Sequence, residues 1–324
     1  MKRLFTLLLA LLCLLTVSCG KKDPPDVDPG RTTDAESEPS ETQPDHTEPA
    51  TEARTDAPTE APTETVPVDE SGYYRHMVVF GDSIAHGYGL DDKLHTRYSA
   101  LLTDRFSSLP IPLTETNYAV DGATSEDMLN LLNNGVSELK NADLVVISIG
   151  ANNILRYSYE FLGMFQSGQT ESALAIINSP EFLEKINSGI EKLGTDIPKL
   201  IGKIRESAPD ADIVFQTIYN PYKGARIVFG LNGFEMKVDF GGKINGWVEG
   251  LNGKIREGAV KYGYAVAEVH DEFEKNPDRL VNVVLAENGA LTAELDPHPD
   301  KNGHRVIADV ILDTLKTLGK KLPE

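Results

Sequence analysis

Between residues 76 and 269 short apolar runs alternate with longer helical patterns, and few chain arrangements satisfy that alternation. The runs fall at 76–80, 114–119, 143–149, 212–218 and 264–269, and most of their residues are β-branched or apolar. A strand with one wet face alternates apolar and polar residues, whereas a strand covered on both faces reads as a continuous apolar run. The intervening segments are long enough to carry crossover helices, so the pattern predicts an α/β fold with a parallel sheet of five strands. Two of the helical patterns are plain. Ile244, Val248, Leu251, Ile255 and Ala259 recur at spacings of three and four, and Val306, Ile307, Val310, Ile311 and Leu315 close the chain in the same way. Both stripes are expected to be core rather than site.

The chain before residue 73 is made of different material. A basic start at Lys2 and Arg3 precedes an apolar run over residues 4–17, too short for an ordinary membrane span, and the small residues Ser18, Cys19 and Gly20 follow. This is the pattern of a signal peptide occupying residues 1–19. Its end resembles a bacterial lipoprotein processing site, which implies that Cys19 carries the lipid anchor of the mature protein; Thr16 stands where such sites usually carry Leu, which leaves plain secretion open. Residues 20–72 are Pro, Thr, Glu, Asp and Ala with almost nothing to bury, and their 15 acidic against 4 basic residues give a net −11 of the chain's −19. Such a segment is expected to be a disordered acidic spacer, extended by proline and charge repulsion. The expected location is the outer surface of a cell membrane, touched through the lipid anchor only, or the medium. Neither spacer nor domain is basic, so nucleic acid is not an expected partner.

Both cysteines, Cys13 and Cys19, lie in the signal region, which excludes disulfides and thiolate metal sites from the folded part. About 250 residues from 73 to 324 are ample for one domain with its own core. His86, His95 and His270 show no paired ligand spacing, and no metal or cofactor is expected.

Four short segments carry the chemistry: GDSI at 81–84, DGAT at 121–124, GANN at 150–153 and HPDKNGH at 298–304. Each of the first three begins where a predicted strand ends, and parallel sheets collect their ligand sites at the carboxyl ends of strands. The last lies before the final helix. Together they bring a serine, amide donors and a histidine to one rim, which are the parts of an acyl-transfer site. A serine hydroxyl is a poor nucleophile until a neighbouring base takes its proton, and neutral imidazole is the side chain best suited to do so near neutral pH.

In these four segments, in this order, the chain resembles the SGNH or GDSL family of esterases and acylhydrolases over the whole of residues 78–324. The resemblance implies a three-layer α/β/α, flavodoxin-like hydrolase fold, with Ser83 as nucleophile and His298 as base rather than His304. It implies an oxyanion hole made by the Ser83 and Gly122 amides and the Asn152 side chain. The family usually carries an aspartate three residues before the histidine; here that position is Leu295 and Asp296 stands two before. The orienting role is therefore expected of Asp296 from a tighter turn, or of a backbone carbonyl near Leu295. Asp82 and Asp121 are expected to fix local turns.

Two segments exceed a minimal version of the fold and are expected to set substrate choice. One spans residues 155–180, with several aromatic residues; the other spans 219–240, where RIVF and FEMKVDF flank GLNG as a hairpin would. The expected activity is a serine esterase acting on short acyl esters, acetylated polysaccharide among the substrates. The alternatives are a lipid acylhydrolase or thioesterase, favoured if the two segments build a deep apolar channel, and a non-catalytic carbohydrate-binding module.

Overall fold

The structure, a computed structural model, describes residues 72–231 and 234–323. The expected signal peptide, Cys19 and the spacer lie outside the described residues. Each of the five apolar runs forms a strand: β1 is His76–Gly81, β2 Thr114–Asn117, β3 Leu144–Ser148, β4 Asp212–Gln216, and the fifth is Ala265–Ala267. They pair in parallel throughout, in the order β2, β1, β3, β4 and Ala265–Ala267. β1 and β3 are buried along almost their whole length, which explains why they carry unbroken MVVF and LVVI runs. The edge strand β2, reading TETN, is only partly buried, and its polar residues fit an edge.

Helices cover the sheet. α1 (Ser83–His86), α2 (Lys93–Thr96) and α3 (Tyr98–Phe106) connect β1 to β2, and α4 (Ser125–Asn133) lies between β2 and β3. α5 (Asn152–Leu155), α6 (Tyr159–Gln166), α7 (Thr170–Ile177) and the long α8 (Pro180–Ser207) follow β3. After β4 comes an antiparallel hairpin, β5 (Arg226–Leu231) with β6 (Phe234–Asp239), as the sequence leads one to expect of that segment. It passes directly into α9 (Phe240–Tyr262), so the strand Ala265–Ala267 is β7; α10 (Val269–Lys275) and α11 (Lys301–Leu315) complete the domain.

Because β1 sits between β2 and β3, the chain leaves β1 toward one side and returns to the other side for β3. The winding therefore reverses at the carboxyl ends of β1 and β3, where open α/β sheets form their ligand crevice. β1 and β3 approach closely here. A Cβ on Gly81 would lie 2.5 Å from Ala85 Cβ and 2.6 Å from the Ser148 carbonyl oxygen, so only glycine lets the turn that carries Ser83 sit against β3.

Candidate active site

Ser83 is the first residue of α1, immediately past β1. Asp82 caps this helix, its carboxylate accepting the Ile84 N–H at 3.0 Å, which fixes the turn that presents Ser83. From the loop before α11, His298 places Nε2 2.9 Å from Ser83 Oγ, 215 positions away in the chain. Its Nδ1 lies 2.6 Å from Asp296 Oδ1, and the same oxygen accepts the His298 backbone N–H at 3.1 Å. The tight Asp296–Pro297–His298 turn thus brings the carboxylate to the ring in spite of the missing residue. The Leu295 carbonyl, the alternative partner, instead accepts the Tyr222 hydroxyl at 3.1 Å.

The carboxylate settles the proton positions. Since it accepts only, Nδ1 carries the hydrogen and Nε2 is left to accept from the Ser83 hydroxyl. Burial pushes the Asp296 carboxyl up, but its hydrogen bond to His298 and the charge of that ring, with a further bond from Asn282 at 3.2 Å, hold it below the usual carboxylate range. Asp296 is ionised wherever the imidazole can act as a base. Asn282 also donates its backbone N–H to the His298 carbonyl at 2.9 Å, and Tyr219 donates its hydroxyl to the Pro297 carbonyl at 2.9 Å. Neither Asn282 nor these tyrosines stands out in the sequence, because their roles depend on contacts between distant segments.

The other predicted residues gather at the same edge. The Val120 N–H donates to the Gly81 carbonyl at 3.1 Å and ties the DGAT loop to the turn that carries Ser83. Gly122 has φ 76, the left-handed region that glycine enters without strain. Among the described residues neither the Ser83 nor the Gly122 N–H meets a protein acceptor, so both remain available to a ligand oxygen. Asn152 is buried, with its amide nitrogen 3.1 Å from the Ala123 carbonyl and 3.4 Å from Asp82 Oδ2. At 3.4 Å the second contact is weak. Its neighbour Asn153 is scaffolding: Oδ1 accepts the Ser125 N–H at 3.0 Å, while Nδ2 donates to Ser125 Oγ at 2.8 Å and the Gly189 carbonyl at 3.3 Å.

Asp82 is 2% exposed and burial raises its carboxyl to about 7, against the opposing pull of the Ile84 N–H and the charge of His298. Asp121 accepts from His86 Nδ1 at 2.8 Å, and His86 Nε2 accepts from Lys93 Nζ at 2.6 Å, so His86 braces the loop beside Gly122. His304, the other histidine of the last segment, is fully buried in α11 and receives the Tyr98 N–H on Nδ1 at 3.2 Å. Glu249, His270 and Asp271 bring one ligand atom each within 4.8 Å of one another. Arg256 already pairs with Glu249 at 3.0 Å and Asp271 at 3.5 Å, which makes the group an ion-pair network rather than a waiting cation site.

A cleft of about 820 Å³ including its mouth opens beside Ser83, Asn152 and His298. Phe161 and Leu162 of α6 form one wall, Tyr219 and Tyr222 another, and Ile244, Trp247, Val248 and Leu251 of α9 a third. The expectation that the α9 stripe is core only is therefore corrected. The helix packs one edge of its apolar face against the protein and turns the other to the cleft, and periodicity cannot distinguish a core neighbour from an empty space.

A parallel α/β sheet with a hydrogen-bonded serine, histidine and carboxylate at its switch point defines a class, the hydrolytic acyl-transfer folds. The family model of the GDSL-like lipase/acylhydrolase family matches residues 79–306, and the chain belongs to that family. An uncharacterised Bacillus subtilis protein, YpmR, is 24% identical over 251 residues, 75% of this chain and 83% of that protein. Among solved structures the chain is similar to an extracellular lipase from Streptomyces rimosus (20% identity, 74% of this chain and 99% of that one, TM-score 0.53). It is similar also to phospholipase A1 from Streptomyces albidoflavus (19% identity, 75% and 100%, TM-score 0.51). These structures share the fold.

Proposed function

We propose that the protein is a serine acylhydrolase that holds an extended acyl chain in the cleft beside Ser83 and releases it to water through an acyl-enzyme. The observation that carries this reading is the apolar cleft itself, built by both segments that exceed the minimal fold and opening on the serine–histidine pair. An acetyl group would leave the walls formed by Phe161, Leu162, Trp247 and Val248 in contact with water, whereas an alkyl chain covers them at about 0.8 kcal/mol per buried methylene. The apolar lining favours the acylhydrolase reading over the short-acyl one.

In this reading Ser83 Oγ attacks the ester carbonyl as His298 Nε2 takes its proton, and the imidazolium is held by Asp296. Charge on the former carbonyl oxygen meets the Ser83 and Gly122 N–H groups and the Asn152 amide, each such donor contributing about 3–4 kcal/mol of barrier lowering. His298 then gives its proton to the leaving alkoxide, the alcohol departs, and water activated by the same histidine cleaves the acyl-serine ester. The protein acts at the outer surface of the cell membrane, tethered by a lipid on Cys19 through the acidic spacer, with plain secretion the alternative; the N-terminal sequence supports that placement.

The test is hydrolysis of acetyl, octanoyl and dodecanoyl aryl esters by the domain from residue 73 onward, with Ser83→Ala beside it. Preference for the longer esters and loss of activity in Ser83→Ala are expected. Preference for acetate would return the assignment to acetyl esters of carbohydrates, and turnover that survives Ser83→Ala would remove the nucleophile.

A further inference from the structure

Tyr88 lies outside the motifs, yet its ring centroid is 4.6 Å from that of the His298 imidazole, with the two planes tilted by 39°. Packing does not account for it, because Tyr88 is 41% exposed and is not part of the core. Its placement is nevertheless tightly determined. The Ser83 carbonyl accepts both the Gly87 N–H at 3.0 Å and the Tyr88 N–H at 2.9 Å, so the nucleophile's own backbone anchors the residue. Gly87 and Gly89 on either side have φ 80 and φ 79, a sharp double turn that aims the ring back across the loop before α11. A side chain on Gly87 would press on Arg97 Cβ at 2.9 Å and Lys93 Cβ at 3.0 Å, so the turn has little room to relax.

Three contacts then close a circle. Ser83 holds Tyr88 through its carbonyl, Tyr88 lies against His298, and His298 returns to Ser83 Oγ through Nε2 at 2.9 Å. Asp296 and Asn282 fix the ring at its Nδ1 edge and through its backbone, but both act in the plane of the imidazole or along the chain. Rotation out of that plane is limited by what touches the faces. An aromatic face against an imidazole also favours the imidazolium that forms as Ser83 loses its proton.

We propose that Tyr88 is a positioning residue of this acyl-transfer site, its ring holding the His298 imidazole in line with Ser83 Oγ and supporting the ring as it becomes charged. The role rests on the reading of Ser83 and His298 as nucleophile and base. It requires the aromatic ring and makes no use of the hydroxyl.

The experiment compares Tyr88→Ala and Tyr88→Phe with the wild type in steady-state ester hydrolysis and in the rate of labelling by a fluorophosphonate, which reports the reactivity of Ser83 without an acyl chain in the cleft. Tyr88→Ala is expected to lose about three- to tenfold in kcat and in labelling rate with KM within twofold of wild type, while Tyr88→Phe keeps both rates within twofold. A melting temperature for each variant separates this from loss of fold, and the KM–kcat split is what a merely structural defect would not produce. Wild-type rates in Tyr88→Ala, or equal losses in both variants, overturn the proposal. Labelling of Ser83→Ala at the wild-type rate would instead overturn the reading beneath it, so the two failures are distinguishable.

Discussion

At the scale of single residues, the carboxylate assignment is the sharpest consequence of the geometry. Asp296 accepts two hydrogens from His298 and one from Asn282, and its charge fixes the imidazole tautomer. Asp296→Asn, which offers an amide where a carboxylate stood, is expected to lower kcat at least about 10²-fold with little change in KM, measured with the preferred ester. His304 answers to different physics. Burial lowers it to about 4 from 6.5, so the folded protein binds fewer protons than the unfolded chain between those values. Its contribution is present above about pH 6.5 and is lost as pH falls toward 4. Between pH 7 and pH 5 the wild type should lose about 2 kcal/mol relative to His304→Gln in denaturant titrations. Asp82, raised to about 7, works in the opposite sense and favours folding as pH falls from 7, so the wild type alone would conceal both effects. The sequence singles out Asp296 and prefers His298 to His304, but the burial that shifts His304 and Asp82 is not visible in it.

At the scale of elements, the packing of α8 against α5 decides whether the Asn152 loop holds its shape. A Cβ on Gly189 would run into the Asn153 carbonyl oxygen, a backbone atom that cannot move aside cheaply. Gly189→Ala is expected to destabilise the domain by about 1–3 kcal/mol although alanine is the better helix former, and a shift in the denaturation midpoint checks it. The α9 stripe makes a prediction of the other kind. Ile244 is partly buried and faces the cleft, so Ile244→Trp narrows the acyl channel without overfilling the core. The ratio of dodecanoyl to acetyl hydrolysis should fall at least about tenfold, in keeping with about 1–3 kcal/mol per misfit methylene. Sequence periodicity located α9 through its Ile244–Ala259 stripe, while α8 was not singled out. It could not show that Gly189 is a point of backbone contact, or that Ile244 borders empty space.

At the scale of the whole molecule, the domain carries its site on the sheet edge, while the features that would tether it lie in the N-terminal 72 residues. With Cys19→Ser, full-length protein is expected to move from the membrane pellet to the soluble fraction with its specific ester-hydrolysing activity unchanged; retention in the pellet would exclude the lipid anchor. The parallel sheet, its five strands, the hairpin after β4 and the four segments at the rim were legible in the order of residues. Those features rest on local physics: apolar runs for strands buried on both faces, and turn residues at strand ends. That Asp296 reaches His298 from two positions away, that Tyr88 lies across the imidazole and that the α9 stripe bounds a cleft emerged with the fold. The Asp296 contact depends on the backbone path of one turn, whereas the other two depend on where segments up to about two hundred residues apart come to rest against one another, and no local pattern of residue types encodes that distance.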